Sequence, residues 1–186
     1  MKTWGFDVTG CEVDPIAVDR AKAKGVHVLQ GDFSELDFQE GYYDVVVMNH
    51  VLEHFHDCKA VLRKVRRILK DRGRLILVVP NATALSRVVF EKHWFNWEIP
   101  RHLYHFTPET LEKYCSVVGF KKLSIESRSH VSIWLDSVRY KMGIKPMEYK
   151  EFLNLRKKFV KVYNSFGAFL NHHNLGDHIA GCFEKV

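Results

Sequence analysis

Runs of apolar residues alternate with helix-type patterns along the first eighty residues of the chain. The runs that predict strands are Phe6–Glu12, Val26–Gln30, Asp44–Met48 and Leu75–Val79. The run at Asp44–Met48 is continuous, which is typical of a strand buried on both faces of a parallel sheet. Asp14-Pro15 predicts a helix start, with an N-cap acceptor and a proline at N1, and Gly25 predicts the helix end. The alternation indicates an α/β fold with right-handed crossovers.

The second half of the chain is predicted to hold two helices and two strands. They are a helix over 107–119, a strand over 122–127, a helix over 147–170 and a strand over 177–184. Thr107-Pro108 repeats the helix-start pattern, and Leu123 and Ile125 share one face of their strand. A helical insertion over 131–172 therefore separates two strands that we expect to be neighbours in the sheet.

Composition and charge fit one domain over residues 1–186. No apolar run approaches the ~20 residues of a membrane span, and the four scattered cysteines predict thiols of a cytoplasmic protein. The net charge of +6 comes mainly from an amphipathic helix over Lys59–Lys70, which precedes a turn at Asp71-Arg72-Gly73. We interpret its basic face as solvated, and predict no nucleic-acid partner. The helix over 147–170 predicts core packing, with a substrate lid, interfacial membrane contact or a homodimer contact as alternatives.

Polar residues stand where the predicted strands end. Glu12 closes the first run, Gly31-Asp32 the second, and Asn49-His50 the third. Open parallel sheets bind ligands at the carboxyl ends of their strands. A carboxylate there accepts hydrogen bonds from both hydroxyls of a cis-diol. The residues alone thus predict a ligand that carries a diol and an exocyclic amine.

Several short motifs, taken in order, resemble one enzyme family. They are Gly10-Cys11-Glu12-Val13-Asp14-Pro15, Gly31-Asp32-Phe33, Tyr43-Asp44-Val45-Val46-Val47, Val51-Leu52-Glu53-His54, Leu69-Lys70-Asp71-Arg72-Gly73-Arg74-Leu75 and Pro100-Arg101-His102-Leu103-Tyr104-His105-Phe106. The chain is similar to class I S-adenosylmethionine-dependent methyltransferases of the ubiquinone-biosynthesis O-methyltransferase type. The resemblance implies a Rossmann-like, mostly parallel sheet with an antiparallel C-terminal strand. It also implies methyl transfer from S-adenosylmethionine to a small-molecule acceptor.

The resemblance also implies roles for the strand-end residues. Glu12 matches the acidic residue that accepts the ribose hydroxyls, followed by Val13. Asp32 matches the residue that reads the adenine amino group, with Phe33 beside the ring. Asn49 and His50 fall at the end of a further cofactor-contacting strand. The alternatives are a surface carboxylate at Glu12, a plain turn at Asp32 and a structural cap at Asn49.

The glycine-rich loop and the first strand of this family have no match in the chain. Only Gly5 and Gly10 precede Glu12. We expect an N-terminally truncated domain, or else a short protein in which a partner or a rearrangement replaces the missing strand. In either case the sheet is expected to be cut through its middle, with unpaired strand edges.

His50-Val51-Leu52-Glu53-His54 reads H-x-x-E-H, the inverted form of a zinc-protease motif. Its polar groups share one face if the segment is helical, but His50 directly follows a strand and fits a turn as well. We predict a local structural role for Glu53 and His54 and assign no metal ligand. A metal or substrate site and a hydrolytic zinc centre are the alternatives.

The segment Phe90–Phe106 is rich in aromatic residues and histidines and is expected to lie over the carboxyl edge of the sheet. A hydroxyl acceptor benefits from a general base, for which histidine has a suitable pKa range. We predict His102 and His105 as catalytic residues and Arg101 as a contact for an acidic substrate group; simple packing of the segment is the alternative. The competing functions are a non-catalytic interaction module on this scaffold and a metal-dependent hydrolase.

Overall fold

Six strands form two separate sheets in the computed structural model, within the residues that it describes, 5–144 and 149–186. The strands are β1 (Thr9–Glu12), β2 (His27–Gln30), β3 (Tyr43–Asn49), β4 (Leu69–Pro80), β5 (Phe120–Arg128) and β6 (His178–Lys185). β1 and β2 pair in one sheet, and the second sheet has the order β3-β4-β6-β5. The prediction of a divided sheet is confirmed.

Six helices occupy the described residues. They are α1 (Pro15–Ala23), α2 (Cys58–Ile68), α3 (Leu85–Phe90), α4 (Pro108–Val117), α5 (Val131–Met142) and α6 (Tyr149–His172). α5 and α6 form the predicted insertion between β5 and β6; Met147, where the last helix was expected to begin, lies outside the described residues. None of the described helices combines the length and apolar character needed to cross a bilayer.

The N-terminal unit ends at Glu40 and is a strand-helix-strand arrangement. β1 and β2 are parallel, with pairs that run from Thr9 opposite His27 to Glu12 opposite Gln30. Asp14 caps α1 by accepting a hydrogen bond from the Ile16 N–H at 2.9 Å, as the Asp-Pro pattern predicts. Parallel pairing brings the carboxyl ends of both strands to one edge.

The C-terminal unit, Gly41–Val186, is built around β4 and β6. β3 is parallel to β4, whereas β6 is antiparallel to both β4 and β5, which confirms the predicted antiparallel C-terminal strand. α2 packs on β4 through its buried apolar side, while Lys59 and Arg63 on its other side are exposed. The amphipathic pattern of this basic helix is therefore confirmed.

Two strand predictions are wrong in detail. Val45 and Val47 lie on the same face of β3 and are 44% and 40% exposed rather than buried, whereas Met48 on the opposite face is 6% exposed. The turn predicted at residues 71–73 is instead an irregularity inside β4, where Arg72 takes a left-handed φ of 63°.

Candidate functional site

Glu12 and Asp32 follow the ends of the two parallel strands of the N-terminal unit. Glu12 is the last residue of β1 and pairs with Gln30, the last residue of β2. Its carbonyl oxygen accepts a hydrogen bond from the Gly31 N–H at 2.9 Å, so Asp32 lies one residue beyond that link. The two carboxylates predicted to bind one nucleoside therefore belong to the same edge of one sheet.

Each carboxylate is held by one of its two oxygens. Glu12 Oε1 accepts from the N–H groups of Val13 and Asp14 at 2.8 and 3.0 Å, at the start of α1. Asp32 Oδ1 accepts from the Ser34 N–H at 2.6 Å. The second oxygen of each has no hydrogen bond or ion pair among the described residues. The pair is thus oriented by the backbone and keeps acceptor capacity for a ligand.

Apolar side chains stand next to both carboxylates. Val13, which follows Glu12, is 61% exposed. Phe33, which follows Asp32, packs against Phe38 with ring centroids 5.1 Å apart. An apolar surface beside acceptor oxygens suits a ligand with a flat ring and hydroxyl groups.

The carboxyl end of β3 carries a strained turn. Asn49 is the exposed last residue of β3. His50 takes a left-handed φ of 53°, and its N–H donates to the Val78 carbonyl at 2.8 Å. A short 3-10 turn over Leu52–His54 follows. Non-glycine residues seldom adopt this φ, and such positions concentrate at functional sites.

The H-x-x-E-H residues do not share one helical face, since His50 belongs to the turn. The Glu53 side chain is fully buried, and its Oε1 lies 3.2 Å from Nδ1 of His50. The His50 ring meets the edge of the His178 ring, with centroids 4.4 Å apart. Burial lowers the pKa of His178 to about 3, and the nearby His50 and His130 act in the same direction. His178 is therefore a neutral imidazole at neutral pH.

The segment Phe90–Phe106 docks on this turn, which confirms its predicted place at the carboxyl edge of the sheet. The N–H groups of Leu103 and Tyr104 donate to the Glu53 carbonyl at 2.8 and 3.3 Å. The Ala82 N–H, just after β4, donates to the Phe106 carbonyl at 2.8 Å. The turn and the segment are thus joined through main-chain groups.

His102 is buried within this segment, at 7% exposure. Its Nδ1 lies 2.8 Å from the Asn96 carbonyl, and its Nε2 lies 2.9 Å from Glu98 Oε2. Burial lowers the pKa of His102, against opposing effects of the Asn96 hydrogen bond and of the Glu53 and Glu98 carboxylates. Its ring lies 4.8 Å from that of His54.

His105 and Arg101 are more accessible than His102. His105 is half-buried, its Nε2 lies 3.2 Å from the Trp97 carbonyl, and its ring lies 4.8 Å from that of Trp97. Arg101 is exposed and pairs with Glu98 at 3.4 Å. The rings of His102 and His105 are 6.2 Å apart. The catalytic roles of the two histidines stay predictions.

A buried polar network near β6 escaped the sequence analysis. Asp177 is fully buried and accepts from Ser86 Oγ at 2.6 Å, from the His130 N–H at 2.8 Å and from Tyr163 Oη at 3.2 Å. Burial raises its pKa despite these donors. No local pattern marks the network, because Ser86 and Asp177 are 91 positions apart.

Comparisons with known proteins give the family of the chain. A family model described as "Methyltransferase domain" matches residues 1–125, which is more than half of the chain. The uncharacterized protein YafE of Escherichia coli is 33% identical over 75 residues, which cover 39% of this chain and 36% of that protein. Demethylmenaquinone methyltransferase of Lactococcus lactis is 27% identical over 49% of this chain and 37% of its own length.

A solved structure agrees at the level of fold. The SAM-dependent methyltransferase of Archaeoglobus fulgidus superposes with a TM-score of 0.64 at 18% identity, over 99% of this chain and 78% of that one. By sequence, the chain spans 36% of the length of YafE and 30% of the length of the uncharacterized methyltransferase YcgJ of Bacillus subtilis. On the family model and these likenesses, the chain belongs to the class I S-adenosylmethionine-dependent methyltransferases.

Proposed function

We propose that the chain acts in methyl transfer from S-adenosylmethionine to a small-molecule acceptor. The observation that carries this proposal is the pair of carboxylates, Glu12 and Asp32, at the ends of adjacent parallel strands. Each is oriented by backbone N–H groups and has a second oxygen without a partner among the described residues. Such oxygens suit the ribose hydroxyls and the adenine amino group, respectively.

The nucleoside is proposed to lie against the apolar residues of the same edge. Val13 offers an exposed surface, and Phe33 is held by its contact with Phe38. The assignment of Asn49 and His50 as cofactor contacts stays a prediction from the sequence. When bound, S-adenosylmethionine supplies a sulfonium-activated methyl group, so the protein chiefly provides alignment, which is worth up to ~7–11 kcal/mol.

The acceptor is proposed to lose its proton to a histidine of the Phe90–Phe106 segment. His102 has both ring nitrogens engaged, by the Asn96 carbonyl and by Glu98, which favours a positioning role. His105 has one nitrogen near the Trp97 carbonyl and keeps Nδ1 without a hydrogen bond among the described residues. We therefore assign His105 as the base and Arg101, on the exposed side, as a contact for an acidic group.

A small-molecule acceptor is supported by the name of one relative, a demethylmenaquinone methyltransferase. The two proteins align over 37% of the length of that relative. A cytoplasmic location, a homodimer and the lack of a nucleic-acid partner stay predictions from the sequence.

Titration of the 186-residue chain with S-adenosylhomocysteine by isothermal calorimetry tests the proposal. We expect micromolar binding, and a loss of about tenfold or more, ~1.4 kcal/mol, for each of Glu12→Gln and Asp32→Asn. The matched control is Asp19→Asn, which removes an exposed carboxylate within α1 and should leave affinity unchanged. Absence of binding by the unmodified chain at millimolar concentration would overturn the proposal and favour a non-catalytic module.

A further inference from the structure

We propose that a cleft in the C-terminal unit binds a small ligand that has a flat, apolar body and a carboxylate. The cleft has a volume of about 890 Å³, which lies within the range of small-molecule sites. Its wall is made by residues of α3, of the segment Phe90–Phe106 and of α5. Binding at this cleft does not depend on the proposed methyl transfer, because all of the lining residues belong to one unit.

Two indole rings form a rigid part of the wall. Trp94 and Trp97 pack edge to face, with ring centroids 5.3 Å apart. Trp94 Nε1 donates to Ser86 Oγ at 2.9 Å, and Trp97 Nε1 donates to the Glu91 carbonyl at 2.8 Å. Since both indole N–H groups are engaged within the protein, the rings present apolar surface in a fixed orientation. A flat ring system complements such a surface.

Apolar side chains at the rim of the cleft are exposed to solvent. Val88 and Ile99 are 61% and 77% exposed, and Tyr140 is 44% exposed. All three line the same cleft, so they form one apolar patch and are not scattered over the surface. Contiguous exposed apolar patches rimmed by polar residues mark binding sites.

Arg87 places a positive charge in the wall without a counter-charge. Its side chain is half-buried, and its Nε is shielded from water and has no hydrogen-bond partner among the described residues. It also forms no ion pair with a carboxylate of the described residues. The planar guanidinium matches the geometry of a carboxylate, so a carboxylate ligand supplies the missing acceptor.

The other charged groups of the wall do not cancel this preference for an anion. Glu98 is already paired, with Arg101 at 3.4 Å and with His102 Nε2 at 2.9 Å. Glu91 and Lys92 are both exposed, carry opposite charges and are neighbours in the sequence, so their fields largely offset each other. Among the described residues of the wall, Arg87 is therefore the half-buried charge that a ligand can neutralise.

The backbone of the wall is strained at two positions. Glu91 and Glu98 take left-handed φ values of 50° and 34°, which non-glycine residues seldom adopt. These two residues flank the stretch that carries Trp94 and Trp97. Strained positions concentrate at ligand-binding and active sites, so the backbone gives independent support for a site here.

Calorimetric titration of the unmodified chain with cinnamate, a flat aromatic carboxylate, tests this site without S-adenosylmethionine. Cinnamamide is the matched probe, because it has the same ring and nearly the same shape but no charge. We expect saturable binding of cinnamate that is about tenfold tighter than that of cinnamamide, since the carboxylate alone makes a charge-assisted contact with Arg87. No saturable binding of cinnamate, or equal affinity for both probes, would overturn the proposal.

Three variants locate the bound carboxylate. Arg87→Gln should weaken cinnamate about tenfold and leave the affinity for cinnamamide unchanged. Arg63→Gln is the control, because it removes an exposed arginine of α2 and should keep the preference for cinnamate. Val88→Asp adds a carboxylate to the exposed rim and should weaken cinnamate more than cinnamamide, so it reports on the site even if Arg87→Gln fails to fold.

The same preference for cinnamate in the Val88→Asp and Arg63→Gln variants would contradict a site at this cleft. So would equal affinity of folded Arg87→Gln and Arg63→Gln for cinnamate. S-adenosylhomocysteine binding is measured separately and tests only the methyl-transfer proposal.

Discussion

His178 is a buried histidine between two other imidazoles. It is 6% exposed, and the centroids of His50 and His130 lie 4.4 and 4.8 Å from its own. Its Nδ1 is buried and has no hydrogen-bond partner among the described residues. Because a proton on this ring would add charge to a shielded site near two other histidines, the folded protein binds it only at low pH.

The stability of the fold should therefore decrease with acidification. The usual pKa of 6.5 applies to the unfolded chain, and the folded value is about 3. Between these two pH values His178 is protonated in the unfolded state but not in the folded state. The free energy of unfolding therefore falls as pH falls, by up to ~1.4 kcal/mol per pH unit. His178→Gln should flatten this slope in urea unfolding measured across the same interval. If the slope in His178→Gln equalled that of the unmodified protein, the low pKa assigned to His178 would be contradicted. His27→Gln is the control, because His27 is an exposed histidine of β2.

The positions of the polar residues at the strand ends were accessible from the sequence, but their side-chain partners were not. The positions of Glu12 and Asp32 follow from where apolar runs stop. The proximity of Glu53 to His102 depends on how a segment 49 positions later folds back, which no local pattern records. The same holds for Asp177 and Ser86.

At the scale of elements, capping residues were the most informative signal. Thr107 caps α4 in a full capping box, since its Oγ1 accepts from the Thr110 N–H at 3.2 Å and its own N–H donates to Thr110 Oγ1 at 2.8 Å. Pro108 follows at the first helical position. The observed helix runs from Pro108 to Val117, with Gly119 at a left-handed φ of 92°, as the sequence predicts.

Removal of this cap should destabilise the protein measurably. Thr107→Ala leaves the Thr110 N–H without its side-chain acceptor, at a cost of ~1 kcal/mol in the free energy of unfolding. Ser116→Ala is the control, because that exposed hydroxyl in the same helix only donates back to the Lys113 carbonyl. Urea denaturation of both variants gives the comparison. Equal effects of the two substitutions would argue against a stabilising cap.

The positions of the strands in the sequence were predicted better than the burial of their side chains. The apolar run of β3 correctly marks a strand, but the burial of a residue depends on what packs against its face of the sheet. Val45 and Val47 lie on an exposed face of β3, and Met48 lies on the buried face. Likewise, Asp71-Arg72-Gly73 has the composition of a turn, yet the chain continues as β4 because an irregular register absorbs these residues.

At the scale of the whole molecule, the two sheets differ in what covers them. In the N-terminal unit, the buried apolar side chains among residues 5–40 are Val18 and Val28. In the C-terminal unit, β4 and β6 each pair with strands on both sides, and residues such as Leu75, Leu77 and Phe183 have no exposed surface. Two-stranded sheets are marginally stable when they have little apolar cover.

Hydrogen exchange should separate these units. Amides of β4 and β6 are expected to exchange through global unfolding, and amides of β1 and β2 through cheaper local opening. The difference in protection should be at least about tenfold, or ~1.4 kcal/mol, by mass spectrometry of peptides that cover each strand. Equal protection of all four strands would show that the N-terminal unit unfolds only together with the rest.

The fold class followed from the sequence because it depends on the order of elements, which apolar periodicity and caps specify. The divided sheet was expected from the family resemblance, because the first strand of that family has no match in the chain, and none of the described strands pairs with both sheets. The contacts over the carboxyl edge of the C-terminal unit depend on how the folded chain packs. The sequence predicted that the segment Phe90–Phe106 lies at this edge, but it did not predict the contacts of His102.

The docked segment is attached through the Leu103 and Tyr104 amides, which donate to the Glu53 carbonyl. These main-chain hydrogen bonds do not depend on which side chain the residue carries, and the Leu103 side chain is 43% exposed. Any residue except proline supplies the same N–H. The side chain at position 103 can therefore vary in size and polarity during evolution while the loop keeps its backbone conformation. This makes position 103 suitable for randomisation in a library of surface variants.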